Sequence, residues 1–95
     1  MLFVIHAFDK ADGGPRRMAH YDAHKAFLTT AAKQGVTIVM SGPLVADDGV
    51  TPIGSHFIIE APDRMTAEAF HRADPFFTAD VWEKPAITAF IKRHG

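Results

Sequence analysis

Between Arg16 and Gln34 the chain carries neither glycine nor proline, and apolar or ambivalent residues recur there at His20, His24, Phe27, Leu28 and Ala31. That spacing follows the helical period and predicts one helix, stopped by Gly35. The helix limits the choice of folds because it stands between two short β-rich runs and must lay its stripe on the sheet they form. Leu2 to Phe8 is one such run, followed by the turn formers of Asp9 to Pro15 (DKADGGP). Val36 to Met40 is the other, ended by Ser41-Gly42-Pro43.

Beyond it, LVADDGVTP reads as a long connection with an Asp-Gly pair, and Ile53 to Glu60 resumes the strand pattern as the partner of the second run in a hairpin. Asp63 is placed to cap a second helix, with Phe70 and Ala73 on its buried stripe, and Pro75 stops or redirects the chain. A helical turn or two follows, then a last strand over Pro85 to Ile91, at a sheet edge because proline lacks a ladder amide. The order β-α-β-β-α-β is that of an α+β, ferredoxin-like split βαβ fold, with a four-stranded antiparallel sheet and both helices on one face. Strand positions of both parities are apolar, so the second sheet face also needs a cover. A homodimer is the expected one.

Ninety-five residues make a single domain spanning 1–95, and 47% hydrophobic with 22% charged residues is the composition of a globular protein. A net charge of −1 with scattered basic residues argues against a nucleic-acid partner. No run approaches the roughly 20 apolar residues of a membrane span, and the opening MLFVIHAF lacks the charged flank and cleavage site of a leader. With no cysteine there is no thiol nucleophile and no disulfide, which fits a cytoplasmic protein.

Six histidines direct attention to imidazole chemistry. His24 extends the apolar stripe of the first helix, and Asp74, four residues after Phe70, extends that of the second. The fold plan lays these helices side by side. A buried carboxylate is costly without a partner and a buried imidazole needs one for each nitrogen, so the two are expected to pair. Asp74 before Pro75 is also the pattern of a helix cap, and capping and pairing are compatible. His24 alone also reads as a satisfied core histidine. His20 and His24 have a chelating spacing but lack a defined third ligand, so neither a metal nor any other cofactor is expected.

Phe76, with Phe77 and Trp82, is a candidate wall for an apolar pocket, and Ser41 offers a hydroxyl at the end of the second strand. His6 and His56 are expected on the second sheet face, His6 as a further candidate substrate contact, while His71 and His94 are expected to face water. Arg16 and Arg17, at the start of the first helix, are placed where they could meet an anionic substrate, but the default reading is two solvated arginines. Gly13-Gly14 matches no phosphate loop.

The strand MLFVIHAFDK, the helix with HKAFL at 24–28, Gly35, the strand ending in SGP and the helix closing on ADPFF together resemble the YciI-like, or YCII-related, family over nearly the whole chain. The resemblance implies a dimeric α/β barrel fold and a site built on a His-Asp pair, here His24 and Asp74. It also implies chemistry like that of family members that act as dehydrochlorinases on chlorinated hydroxyquinols. The family often has an arginine three positions before its histidine; here Tyr21 stands there and is the candidate hydrogen-bonding residue. Two functions are compatible with these residues: a small cofactor-independent enzyme transferring protons on a small, aromatic-derived substrate, or a non-catalytic dimeric module binding a small molecule or protein.

Overall fold

The computed structural model describes all of residues 1–95. Its elements are β1 (Leu2–Asp9), α1 (Gly13–Leu28), a 3₁₀ turn (Ala31–Gln34), β2 (Thr37–Val45), β3 (Pro52–Glu60), α2 (Arg64–Ala73), α3 (Pro75–Thr78) and β4 (Trp82–Phe90). The strands form one sheet in the order β2-β3-β1-β4, every neighbouring pair antiparallel. This is the expected ferredoxin-like plan, with β2 and β3 joined as a hairpin and β4 at an edge.

Alternation along the central strands decides what each face buries. Phe3, Ile5 and Ala7 of β1 and Phe57 and Ile59 of β3 form the floor of the core. Val36, Ala67, Phe70, Phe76, Val81 and Trp82 close over it. Burying each aromatic side chain contributes about 1.5–3 kcal/mol, so this one layer carries most of the cohesion of the chain. The other parity, Leu2, Val4, His6 and Phe8 of β1 beside His56 and Ile58 of β3, forms the second face. Phe8, Met40 and Phe90 are 54%, 63% and 41% exposed there.

Element boundaries differ from the sequence expectation by more than one residue in four places. Helix α1 begins at Gly13 and not at Arg16, so Gly13-Gly14-Pro15 is its first turn and not loop. Proline is tolerated there because the first-turn amides have no helical acceptor. The helix also stops at Leu28, six residues short of Gln34. Thr29 and Thr30 donate their hydroxyls to the carbonyls of Ala26 and Phe27, at 2.6 and 2.7 Å. These local bonds compete with the helical ladder, and the chain tightens into the 3₁₀ turn before Gly35 (φ 75) reverses it. β2 runs on through Ser41-Gly42-Pro43 to Val45, since an edge strand tolerates a missing amide. β4 starts at Trp82, three residues before Pro85.

Helix α2 is capped as expected, Asp63 accepting from the Thr66 amide at 2.8 Å. Its buried stripe is Ala67, Phe70 and His71; Ala73 is exposed, and His71, expected to face water, is 6% exposed. In the β2–β3 connection Asp48 accepts the amides of Val50 and Thr51, both at 2.9 Å. Those bonds and the Thr51 hydroxyl hold its carboxyl down at about 2. No helix is long and apolar enough to cross a membrane.

Candidate active site

Arg17 and His24 are seven residues apart on α1, two helical turns, and so lie on the same side of it. Both turn inward, although the helix around them is largely exposed. What draws His24 in is Asp74, whose Oδ1 lies 2.7 Å from the histidine Nδ1. The sheet and the α2–α3 corner bring together residues fifty positions apart.

Pro75 makes this meeting possible. It ends α2 and starts α3, leaving Asp74 in an extended conformation (φ −62, ψ 129) between the helices. The carboxylate then folds back over the new helix start, where Oδ1 accepts the Phe76 amide at 2.9 Å. The same oxygen thus serves as cap and as imidazole partner. Asp74 is 2% exposed and His24 7%, so both bonds are made away from water. The Phe76 ring lies flat on the imidazole, with centroids 3.9 Å apart and an interplanar angle of 7°, and Phe57 meets it edge-on. Clamped by carboxylate and rings, His24 is held through Nδ1 by an oxygen that as a carboxylate can only accept, while Nε2 has no protein partner and the residue lines the cleft beside it.

That cleft has a volume of about 570 Å³ and lies between α1 and the β2–β3 hairpin. His24, Tyr21, Ser41 and Phe76 line it. The structure therefore brings four of the six residues singled out in the sequence to one cavity, with Asp74 buried behind His24. His6 is the exception. It stands on the second sheet face, its ring 5.7 Å from that of His56 and 5.3 Å from that of Phe8. A residue of even parity on β1 points away from the helices, so His6 has no route to the cleft. Phe77 is also remote, packing on His71. Trp82 lies beneath the site, its ring 5.9 Å from that of Phe76.

Arg17, expected to be solvated, is 8% exposed and belongs to the site. Its Nε and Nη2 donate to the two oxygens of Asp9 at 2.7 and 2.9 Å, the bidentate geometry that fixes a guanidinium plane. Nη2 also donates to Ser55 Oγ at 2.7 Å, and the guanidinium sits 4.7 Å from the centre of the Phe76 ring. Ser55 takes a second bond from Trp82 Nε1 at 3.2 Å. Two signals for these residues were present in the sequence: the seven-residue step from Arg17 to His24, and the alternation that puts Ser55 on the same side of β3 as Phe57. Arg16 pairs instead with the exposed Asp12, which holds that carboxyl below its usual range and raises the arginine.

His20 donates Nδ1–H to the Arg16 carbonyl at 3.0 Å and so shares no partner with His24. No three His, Cys, Asp or Glu side chains converge as a metal site would require. His71 stacks on Trp82 at 5.4 Å, and its Nδ1 is buried without a partner. Burial pushes this imidazole below its ordinary value, with the nearby Asp74 charge pulling the other way.

An antiparallel four-stranded sheet with its helices on one face, and a cleft at the helix–hairpin junction, defines a small α+β protein of the dimeric α/β barrel type. Within that class the chain belongs to the YCII-related family, whose domain model matches residues 1–91. It is 35% identical to Protein YciI of Escherichia coli O6:H1 over 97 residues, covering 97% of this chain and 98% of the relative, and equally so to Protein YciI of Shigella flexneri. Among solved structures it is similar to 5-chloro-2-hydroxyhydroquinone dehydrochlorinase from Burkholderia phenoliruptrix AC1100 in complex with 2,5-dihydroxybenzoquinone. The TM-score is 0.83 at 28% identity, over 100% of this chain and 96% of that one. An antibiotic biosynthesis monooxygenase shares the fold at a TM-score of 0.55 and 20% identity, over 99% of this chain and 100% of its own.

Proposed function

We propose that the chain is a small enzyme that transfers a proton to or from a small, ring-shaped, oxygen-bearing substrate, with His24 Nε2 as general base or acid. Asp74 orients the imidazole and stabilises its protonated form, as a carboxylate on the far nitrogen does in acid–base pairs generally. The observation that carries this reading is the buried 2.7 Å His24–Asp74 bond beside an open cleft. A histidine placed only for packing would have no need of a cavity at its other nitrogen.

The aromatic walls, Phe57 and Phe76, suit a flat ring, and the dehydrochlorinase of similar structure binds a dihydroxybenzoquinone. Loss of HCl from a chlorinated hydroquinone gives the quinone: two hydroxyl protons leave, one of them is delivered to the ring carbon that sheds chloride, and the other departs with the chloride, so one group that both takes and gives a proton serves the transfers. No cofactor enters this scheme. We further propose that a second copy of the chain covers the apolar second face of the sheet, where Phe8, Met40 and Phe90 are exposed.

The test is turnover of a panel of chlorinated and unchlorinated hydroxyhydroquinones, followed by chloride release and absorbance. His24→Ala and Asp74→Asn each lower kcat by about 10² to 10⁴-fold with the fold retained. Undiminished turnover in both variants sinks the acid–base reading.

A further inference from the structure

Ser55 is the one hydroxyl in the cleft whose hydrogen-bonding choices have already been made for it. Its Oγ accepts from Arg17 Nη2 at 2.7 Å and from Trp82 Nε1 at 3.2 Å. Neither donor can reverse the bond, because guanidinium and indole N–H groups have no acceptor atom to offer. A hydroxyl oxygen has two lone pairs, and both are occupied. Only the hydroxyl proton remains, and no protein acceptor meets it. Ser55 is 3% exposed and lines the cleft, so the acceptor that this proton lacks has to come from the cavity.

Arg17 repeats the pattern. Nε and Nη2 are consumed by Asp9 and Ser55, whereas Nη1 makes no bond and the residue lines the same cavity. The bidentate Asp9 keeps the guanidinium from swinging out to solvent, and Phe76 supports it from one side at 4.7 Å. The bottom of the cleft is thus a pair of fixed donors, one hydroxyl and one cationic N–H, with Phe76 in contact with both the guanidinium and the His24 imidazole.

We infer that Ser55 and Arg17 form an oxyanion site: the hydroxyl proton of Ser55 and Nη1–H of Arg17 bind one substrate oxygen that carries, or acquires, negative charge as His24 takes its proton. The substrate class that follows is a phenol or enol whose conjugate base is stabilised at that oxygen. A donor-only wall selects an acceptor. Preorganised donors in a site shielded from water stabilise developing charge far better than mobile solvent does. Trp82 acts through Ser55 as a positioning residue, since its indole N–H holds the hydroxyl in the donating orientation.

This inference rests on the cleft being the site of proton transfer, and its test is a binding measurement in which nothing turns over. The probes are para-nitrophenolate, at a pH where it is ionised, and para-nitrotoluene, its neutral counterpart of similar shape. The wild-type protein binds the phenolate more tightly than the toluene. Ser55→Ala reduces that preference about tenfold or more, the worth of a hydrogen bond to a charged oxygen, and leaves para-nitrotoluene affinity unchanged. A crystal structure of the wild-type complex needs no substitution. It puts the phenolate oxygen about 2.5–2.7 Å from Ser55 Oγ and within reach of Arg17 Nη1. Equal affinity for the two probes, a preference that survives Ser55→Ala, or a phenolate oxygen seated on Ser41 or Tyr21 overturns the assignment. Failure of the acid–base reading appears elsewhere, in the kinetics of His24→Ala, and leaves this binding preference in place.

Discussion

Asp74 Oδ1 accepts two hydrogens, one from the Phe76 amide and one from His24. The two neutral replacements of this residue separate those tasks. Asn keeps a carbonyl oxygen for the amide but presents an amino group or a weaker acceptor to the imidazole, so Asp74→Asn is expected to lose turnover while keeping most of its stability. Ala keeps neither. Asp74→Ala therefore loses turnover and, in addition, about 1 kcal/mol or more of stability with the cap, read as a lower urea midpoint than that of Asp74→Asn. His71 makes a prediction of a different kind. Its folded value lies below the ordinary 6.5, so between the two values the unfolded chain binds more protons than the folded one. Stability is complete above about pH 6.5 and falls as the pH drops towards the folded value. His71→Phe is expected to flatten that part of the pH–stability curve, measured by urea unfolding across pH 5 to 7; an unchanged slope would exclude His71 as its source. Of these residues, His24 and Asp74 were legible because each continues an apolar stripe where a polar residue needs a reason. His71 was not legible, since a stripe defined by Phe70 and Ala73 differs from the real one by a single step around the helix.

At the level of elements, the site depends on where α1 begins. A Cβ on Gly13 would lie 2.7 Å from the Val81 carbonyl oxygen, so the first turn docks directly on the backbone that leads into β4. Gly13→Ala is expected to cost about 1–3 kcal/mol, because backbone must shift to make room. Moving the helix start also displaces Arg17 and His24 along with it, so a weakened affinity for cleft ligands is expected together with a lower Tm. A stable variant with unaltered binding would show that α1 is positioned by its later turns. The sequence hid this contact: Gly13-Gly14-Pro15 has the composition of a loop, and only the tertiary approach of Val81 explains a glycine inside a helix. Thr29-Thr30 misled in the opposite sense. Nothing in periodicity reveals that two hydroxyls will draw the chain out of the helix at Leu28, so Gly35, read as the stop of that helix, closes with its positive φ only the 3₁₀ turn that follows. Strand limits were less legible than strand existence, because Pro43, read as part of a strand end, and Pro85, read as a strand start, both sit inside edge strands that tolerate them.

For the molecule as a whole, the two faces of the sheet have separate assignments. One carries the core and the cleft; the other presents Phe8, Met40 and Phe90 around His6 and His56. The expected assembly is a dimer pairing these second faces, seen as twice the mass of one chain by light scattering at micromolar concentration. Phe8→Glu is expected to yield monomer, as a charge on an apolar interface is desolvated without a partner. A wild-type monomer under those conditions would remove the proposed cover. The plan of the sheet was legible from the order of the elements, and strand parity added that apolar residues on both faces cannot be satisfied by two helices on one side.

The double duty of Asp74 also bears on how such a chain can change over generations. Under the proposed chemistry, a protein that no longer meets its substrate needs position 24 only as a hydrogen-bond donor to Asp74 and a side chain packed on Phe76, tasks that residues other than histidine can fill. Asp74 is less free, because the start of α3 still needs its oxygen. Descendants that have abandoned the chemistry are thus expected to keep the aspartate and lose the histidine. If the proposed chemistry holds, it is the identity at position 24, more than at position 74, that records whether a lineage still carries it out.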